Sequence, residues 1–206
     1  MDQGRGGRSG RNDDAEEARL IQKSRSGDLE AMSQLIDRYQ KHVYNLAYRL
    51  CGNYDDANDI AQEAFLRVFH SLGNFRGESN FSTWLYRIVT NVFLDERKKQ
   101  RVRSHSSLEE YLELEDSTVA RQIEDPNPGP EESITAKERS ELIGAAVLSL
   151  PETQRVMIAL YHFQERSYEE IAEIMNMPIG TVKSRLNRAR LALRNKLDSV
   201  RELLGT

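Results

Sequence analysis

Residues 167–196, SYEEIAEIMNMPIGTVKSRLNRARLALRNK, constrain the chain more tightly than any other stretch. The spacing predicts two helices that meet at a tight corner. Ser167 followed by Glu170 is a capping box, in which each side chain satisfies a free N–H at a helix start. Ile171, Ala172 and Met175 form the buried stripe of the first helix. The corner Asn176-Met177-Pro178-Ile179-Gly180 holds a proline, which lacks a backbone donor, and a glycine, which tolerates positive φ. Thr181 is the expected cap of the second helix. There Val182, Leu186, Ala189 and Leu193 recur at helical spacing and share one face. The opposite face carries Lys183, Ser184, Asn187 and Arg188, flanked by Arg185 and Arg190.

Residues 181–196 hold six cations (Lys183, Arg185, Arg188, Arg190, Arg194 and Lys196) and no acid. This is the pattern of a helix-turn-helix whose second helix enters a major groove. Short polar side chains reach base edges there, and arginines reach phosphates. A solvated basic helix at the end of a bundle is the plainer reading of a charge run. The acid-free face, taken with the preceding helix and the Pro-Gly corner, favours DNA. Leu191 falls on the outward side, where a groove has no use for it, and suits contact with a protein.

At 206 residues the chain has room for two small domains. A net charge of −4 is unexpected for a DNA binder until it is divided along the sequence. Residues 104–136 hold nine acids against Arg121 alone, a net of −8, which leaves +4 on the remainder. Cys51 is the only cysteine, so no intramolecular disulfide forms; a small core residue in a reducing compartment is expected. No segment is apolar for long enough to span a bilayer, and the N-terminus lacks the core of a signal peptide. A cytoplasmic location follows as the expectation.

Taken in order, residues 1–17 are rich in Gly, Arg, Asp and Asn and are expected to be a disordered tail. Helical periodicity begins near Ala18, and four helices follow as far as residue 103. The second carries Leu35, Tyr39, Val43, Leu46 and Leu50 on one face. The third carries Ile60, Ala61, Ala64, Phe65, Val68, Phe69 and Leu72, and the fourth Leu85, Ile88, Val89 and Val92. Residues 104–136, with Asp125-Pro126-Asn127-Pro128-Gly129-Pro130, read as a flexible acidic linker. Ser107 and Glu110 there suit the start of a short helix. Four more helices over 137–203 complete an all-α chain of two small helical domains.

Two faces of the first domain carry more than packing requires. Asp59, Gln62, Glu63 and Arg67 form a polar side on the third helix, where a solvated face is the plain alternative. Around the fourth, Phe75, Arg76, Phe81, Trp84, Tyr86, Arg87 and Asn91 precede a basic run containing Lys98 and Arg101. Aromatics interleaved with cations and an amide suit stacking on unpaired bases. The competing reading of Phe81 and Trp84 is simple core.

With these residues in place, the chain resembles the extracytoplasmic-function sigma factors, minimal two-domain promoter-recognition subunits of bacterial RNA polymerase. Asp59-Ile60-Ala61-Gln62-Glu63-Ala64-Phe65 is similar to the region 2 helix that docks on the polymerase clamp. That resemblance implies core-polymerase contacts at Asp59, Gln62 and Glu63. Phe75-Arg76-Gly77, then Phe81-Ser82-Thr83-Trp84-Leu85-Tyr86-Arg87-Ile88 and Asn91, resembles the segment that grips the −10 element and captures a flipped base. The −10 set implied is Phe75, Arg76, Trp84, Tyr86, Arg87, Asn91, Lys98 and Arg101. Leu150-Pro151, Tyr168-Glu169-Glu170-Ile171-Ala172 and Gly180-Thr181-Val182-Lys183-Ser184-Arg185-Leu186 resemble region 4. The implied −35 set is Thr181, Lys183, Ser184, Arg185, Asn187, Arg188 and Arg190. Implied partners are core polymerase (the β′ clamp and the β flap), promoter DNA and an anti-sigma protein, often membrane-tethered in this family. No cofactor is implied. The acidic linker would thread toward the RNA exit path.

A helix-turn-helix repressor or activator that binds its operator unaided is the nearest rival, but the aromatic-basic strip has no use there. Catalysis finds little support. His42, His70, His105 and His162 lack metal-ligand spacing, and no glycine-rich phosphate loop occurs.

Overall fold

The computed structural model describes residues 7–111 and 136–203. Among them are eight α-helices and no strand. Helix α1 (Gly7–Arg25) turns at Gly27 into α2 (Leu29–Cys51), whose N-cap Asp28 accepts from the Ala31 N–H at 3.0 Å. Gly52, at φ +79°, ends α2 in a left-handed cap through its N–H to the Tyr48 carbonyl. Asn53 caps α3 (Tyr54–Ser71), accepting from the Asp56 N–H at 2.8 Å. A 3-10 turn (Leu72–Asn74) and a short loop lead to α4 (Phe81–Tyr111). The core between α2, α3 and α4 is built from side chains such as Leu35, Leu46, Leu50, Val68, Leu85 and Phe93, all 2% exposed or less. Each such burial stabilises the fold by roughly 1.5–3 kcal/mol. Cys51 lies at the edge of this core, and burial, its largest influence, pushes the thiol up to about 11. That suits packing rather than nucleophilic chemistry.

The second domain holds α5 (Ala136–Leu148), α6 (Glu152–Ile158), α7 (Tyr168–Ile174) and α8 (Ile179–Leu203). Val147, Met157, Leu160, Ile171, Val182 and Leu186 form its core.

Several boundaries differ from expectation. Helix α1 already runs from Gly7, within the stretch expected to be a disordered tail. Composition weighs only apolar burial, whereas here polar links fasten the helix to α2. Tyr39 donates to Glu17 at 2.5 Å, and Arg38 pairs with Asp13 and Glu17 at 3.9 and 3.8 Å. Helix α4 continues through residues 104–111, the start of the expected linker, because no Gly or Pro interrupts it. The separate short helix expected from Ser107 is therefore part of α4. The Pro-rich acidic segment lies outside the described residues. Helix α6 widens at its end into a π turn (Ala159–Phe163).

The domains dock through the ends of α2 and α5. Arg155 donates to Leu50 O of α2 at 2.6 Å, to Leu150 O at 3.1 Å and to Leu148 O. One guanidinium thus meets the C-termini of two helices, where carbonyls lack intrahelical donors. Leu148 packs so closely on Gly52 that a Cβ there would meet a Leu148 δ carbon at 2.3 Å. No helix among the described residues is long and apolar enough to cross a membrane.

Candidate nucleic-acid interface

The capping box forms as the sequence predicts. Ser167 Oγ accepts from the Glu170 N–H at 3.1 Å, and Glu170 Oε2 accepts from the Ser167 N–H at 2.8 Å. The corner is built differently. Asn176, not Gly180, takes the left-handed conformation, at φ +48°. Asn tolerates that region better than most side chains. Gly180 and Thr181 lie inside α8, where the Thr181 and Val182 N–H groups both donate to the Pro178 carbonyl, at 2.8 and 3.1 Å. Thr181 is therefore a first-turn residue rather than the cap.

Helix α8 buries Val182, Leu186 and Ala189, and leaves Lys183, Ser184, Arg185, Asn187 and Arg188 exposed. Ser184 donates to Thr181 O at 3.0 Å, which leaves its oxygen able to accept. Arg190 also makes contacts within its own domain. Its guanidinium lies 4.2 Å from the centroid of the Tyr161 ring, which stacks on Tyr168, and its Nη1 donates to the Tyr168 hydroxyl at 3.4 Å. Its Nε donates to His162 Nε2 at 3.4 Å. Burial first, and the Arg190 charge second, hold the His162 imidazole below its usual range, which favours this neutral acceptor. The π turn presents Tyr161 and His162 to α8, and Arg190 ties α8 to that turn.

In the first domain, Phe75 and Phe81 are buried and Trp84 is half-buried, with ring centroids 5.1–5.8 Å apart. Phe75, expected among the base-contacting residues, is buried with its ring against Phe81 and Trp84. Arg76 extends into solvent, its side chain 82% exposed. Along α4, Trp84, Arg87, Asn91 and Lys98 fall on one stripe at helical spacing, with Asn91 and Lys98 exposed. Tyr86 lies about 140° round the helix from Asn91 and is 3% exposed. Its hydroxyl donates to Gln164 Oε1 of the second domain at 2.8 Å. Arg101 pairs with Glu152, also of the second domain. Tyr86 is thus turned away from the stripe with which the sequence grouped it, whereas Arg101, its side chain 62% exposed, borders that stripe one turn beyond Lys98.

Asp59, Gln62 and Glu63 are exposed together on α3, and Glu63 is braced by Arg67 at 2.8 Å. Phe69, expected in the core, is 49% exposed, and Leu66 beside it is 56% exposed. These two extend the Gln62 side of α3 as an apolar strip. Periodicity alone missed the strip, because Phe69 fits the buried repeat within a helical step. Leu191 is 58% exposed on α8, outward as expected.

Comparison with known proteins places the chain in a family. The sigma-70 region 2 family matches residues 35–103, and sigma-70 region 4 matches residues 140–193. The chain is 39% identical over 177 residues to the ECF RNA polymerase sigma factor SigW of Bacillus subtilis, covering 86% of this chain and 94% of that one. It is 37% identical over 179 residues to the ECF RNA polymerase sigma-E factor of Escherichia coli K12, covering 87% and 93%. Among solved structures it is similar to the sigma factor RpoE of Bartonella quintana, in a complex with the anti-sigma factor NepR. The TM-score is 0.60 at 25% identity, over 81% of this chain and 96% of that one.

Proposed function

The chain belongs to the extracytoplasmic-function sigma factors, and from that premise we propose how its two domains divide promoter recognition. As an alternative sigma factor it joins core RNA polymerase and directs it to the promoters of a particular set of genes. Asp59, Gln62 and Glu63 contact the polymerase clamp, with Leu66 and Phe69 adding apolar area at the same face. Region 4 docks α8 in duplex DNA at the −35 element. Lys183, Ser184, Arg185, Asn187 and Arg188 face the DNA, Thr181 sets the first turn, and Arg190 holds the helix in place.

The −10 element is read by α4 and the loop before it. Trp84 and Asn91 receive an unstacked base, while Arg76, Arg87 and Lys98 neutralise the strand. Opening DNA needs no bond chemistry. Unstacking costs a few kcal/mol per base, and stacking on an aromatic returns a comparable ~1–3 kcal/mol. The acidic segment between the domains runs toward the RNA exit path. An anti-sigma protein is the natural antagonist, as the Bartonella relative's complex with NepR suggests.

The observation that carries this assignment is the pairing, in one chain, of an exposed α8 face that carries no acid between Thr181 and Lys196 with the Trp84–Asn91 stripe of α4. Run-off transcription with core polymerase on a promoter library is the test. The expected result is transcripts with defined start sites that require this chain, and a promoter gel shift that needs polymerase. A shift by the chain alone, with no transcript from any template, would identify an operator-binding regulator instead.

A further inference from the structure

The cations of α8 are not equally committed. Lys183 Nζ lies 5.9 Å from the centroid of the Tyr168 ring, and the Arg190 guanidinium 4.2 Å from that of Tyr161. The flank toward α7 and the π turn is therefore braced by aromatic rings. Arg194 pairs with Asp198 at 3.4 Å. Arg185 and Arg188 differ. Three residues apart, they are neighbours on the helix surface, and both are exposed. Among the described residues neither has a hydrogen bond, an ion pair or a ring contact. Both line a notch of about 220 Å³ between α8 and the start of α6, with Pro151, Thr153, Gln154 and Met157.

No acid lines this notch. Glu152, the acid nearest to it in sequence, is drawn off to Arg101 of α4. Two guanidinium groups without a counter-charge make the notch electropositive, and an anion completes it. The Thr153 hydroxyl makes no hydrogen bond among the described residues, so it is free to donate. Gln154 Oε1 is buried with no donor in reach. An orphan acceptor of that kind costs stability until an N–H meets it. Each guanidinium carries five N–H donors in a fork, enough to hold an anion on one edge and that oxygen on another.

Resting on the assignment of α8 to duplex DNA, we infer that the notch seats one backbone phosphate of the −35 duplex. Arg185 and Arg188 hold its oxygens, and Thr153 donates its hydroxyl to it. Gln154 Oε1 accepts from the nearer guanidinium and turns its fork toward the phosphate. Thr153 thus contacts DNA from a second helix, and Gln154 is a positioning residue. A helix in the major groove runs between two phosphate backbones. The ring-braced flank of α8 faces one of them, and the notch faces the other. Phosphate contacts carry no base information but fix the register of the helix. Here that register is set by α6 and α8 together.

The test is holoenzyme, assembled from the full chain and core polymerase, on promoter duplexes whose −35 phosphates are replaced one at a time by neutral methylphosphonates. With the parent chain, one linkage is expected to cost about 10-fold in −35 occupancy, the loss of a charge-assisted contact. Gln154→Met and Thr153→Val nearly keep the side-chain shape. Each is expected to bind the unmodified duplex ~3- to 10-fold more weakly, whatever its −35 sequence, and to lose little more at that linkage. Arg185→Gln is expected to flatten the slope of log K against log salt by ~0.9, one phosphate's counterions. A parent chain for which no single linkage matters overturns the notch, and that arm needs no variant to fold. Variants that lose as much as the parent at that linkage also overturn it, because the phosphate is then held elsewhere. So do shifts of the Arg185 and Arg188 side-chain nitrogen NMR signals when pyrophosphate is added to the free chain, with no linkage effect, which would mark a site for free phosphate. In each of these cases −35 protection by the parent holoenzyme leaves the DNA assignment of α8 standing. Absence of that protection sinks the assignment itself.

Discussion

Replacing Arg155 with methionine keeps much of the apolar stem and removes the guanidinium at which α2 and α5 converge. Three carbonyls then lose a charged donor: Leu50 O, Leu148 O and Leu150 O. A hydrogen bond to a charged group contributes ~1.5–3 kcal/mol net, so independent bonds would sum to ~5–9 kcal/mol. Two effects reduce that. The Leu148 and Leu150 bonds share one nitrogen, and the buried Nε has no partner, which already costs ~1 kcal/mol or more. Burial, followed by the like charge of Arg97, also pulls the guanidinium below its ordinary pKa, a sign of incomplete compensation. About 3 kcal/mol remains as the expected loss.

Urea unfolding followed by circular dichroism reads this directly. With a slope of ~2 kcal/mol/M, the midpoint should fall by ~1.5 M. Arg155→Lys should recover roughly a third, since one ammonium replaces a planar fork. Because Leu50 O belongs to the first domain, the methionine variant should also separate a single transition into two. A midpoint shift below ~0.3 M with the transition still single would refute the convergence of both helix ends on this side chain.

Asn91→Ala should impair open-complex formation, read by permanganate reactivity of the melted strand, while polymerase binding stays intact; equal loss of both would place Asn91 in the polymerase contact instead. Arg188→Ala should weaken occupancy of the −35 region by ~1–3 kcal/mol in footprinting with holoenzyme, and unchanged occupancy would remove it from the DNA face. Glu170 experiences a raising influence from burial, outweighed by the Ser167 N–H and the Arg166 charge, which together hold its carboxyl below the usual 4.5. A depressed carboxylate stabilises the fold above its unfolded pKa, and that contribution is lost as pH falls through the lower folded value. The stability gap between the parent chain and Glu170→Gln should therefore be full at neutral pH and shrink below about pH 4.5; a gap that is constant with pH would mean the carboxylate charge contributes nothing.

How far the sequence reveals such features depends on the distance over which each is decided. The Ser167–Glu170 box is local, and both of its hydrogen bonds form. The buried and exposed faces of α8 follow from helical spacing and were legible for the same reason. At the corner, the sequence advertises Gly180 as the flexible residue, but the cap is settled by Met177 N–H donating to Ala172 O, which leaves Asn176 to take the left-handed turn. The contacts of Tyr86 and Arg190 were not legible because their partners lie far along the chain. Gln164 is 78 residues from Tyr86, and Tyr161 faces Arg190 only because a π turn carries it there. A one-residue widening of that kind has no periodic signature. Phe69 failed in the opposite sense: its spacing was right for burial, yet no neighbouring helix covers it fully.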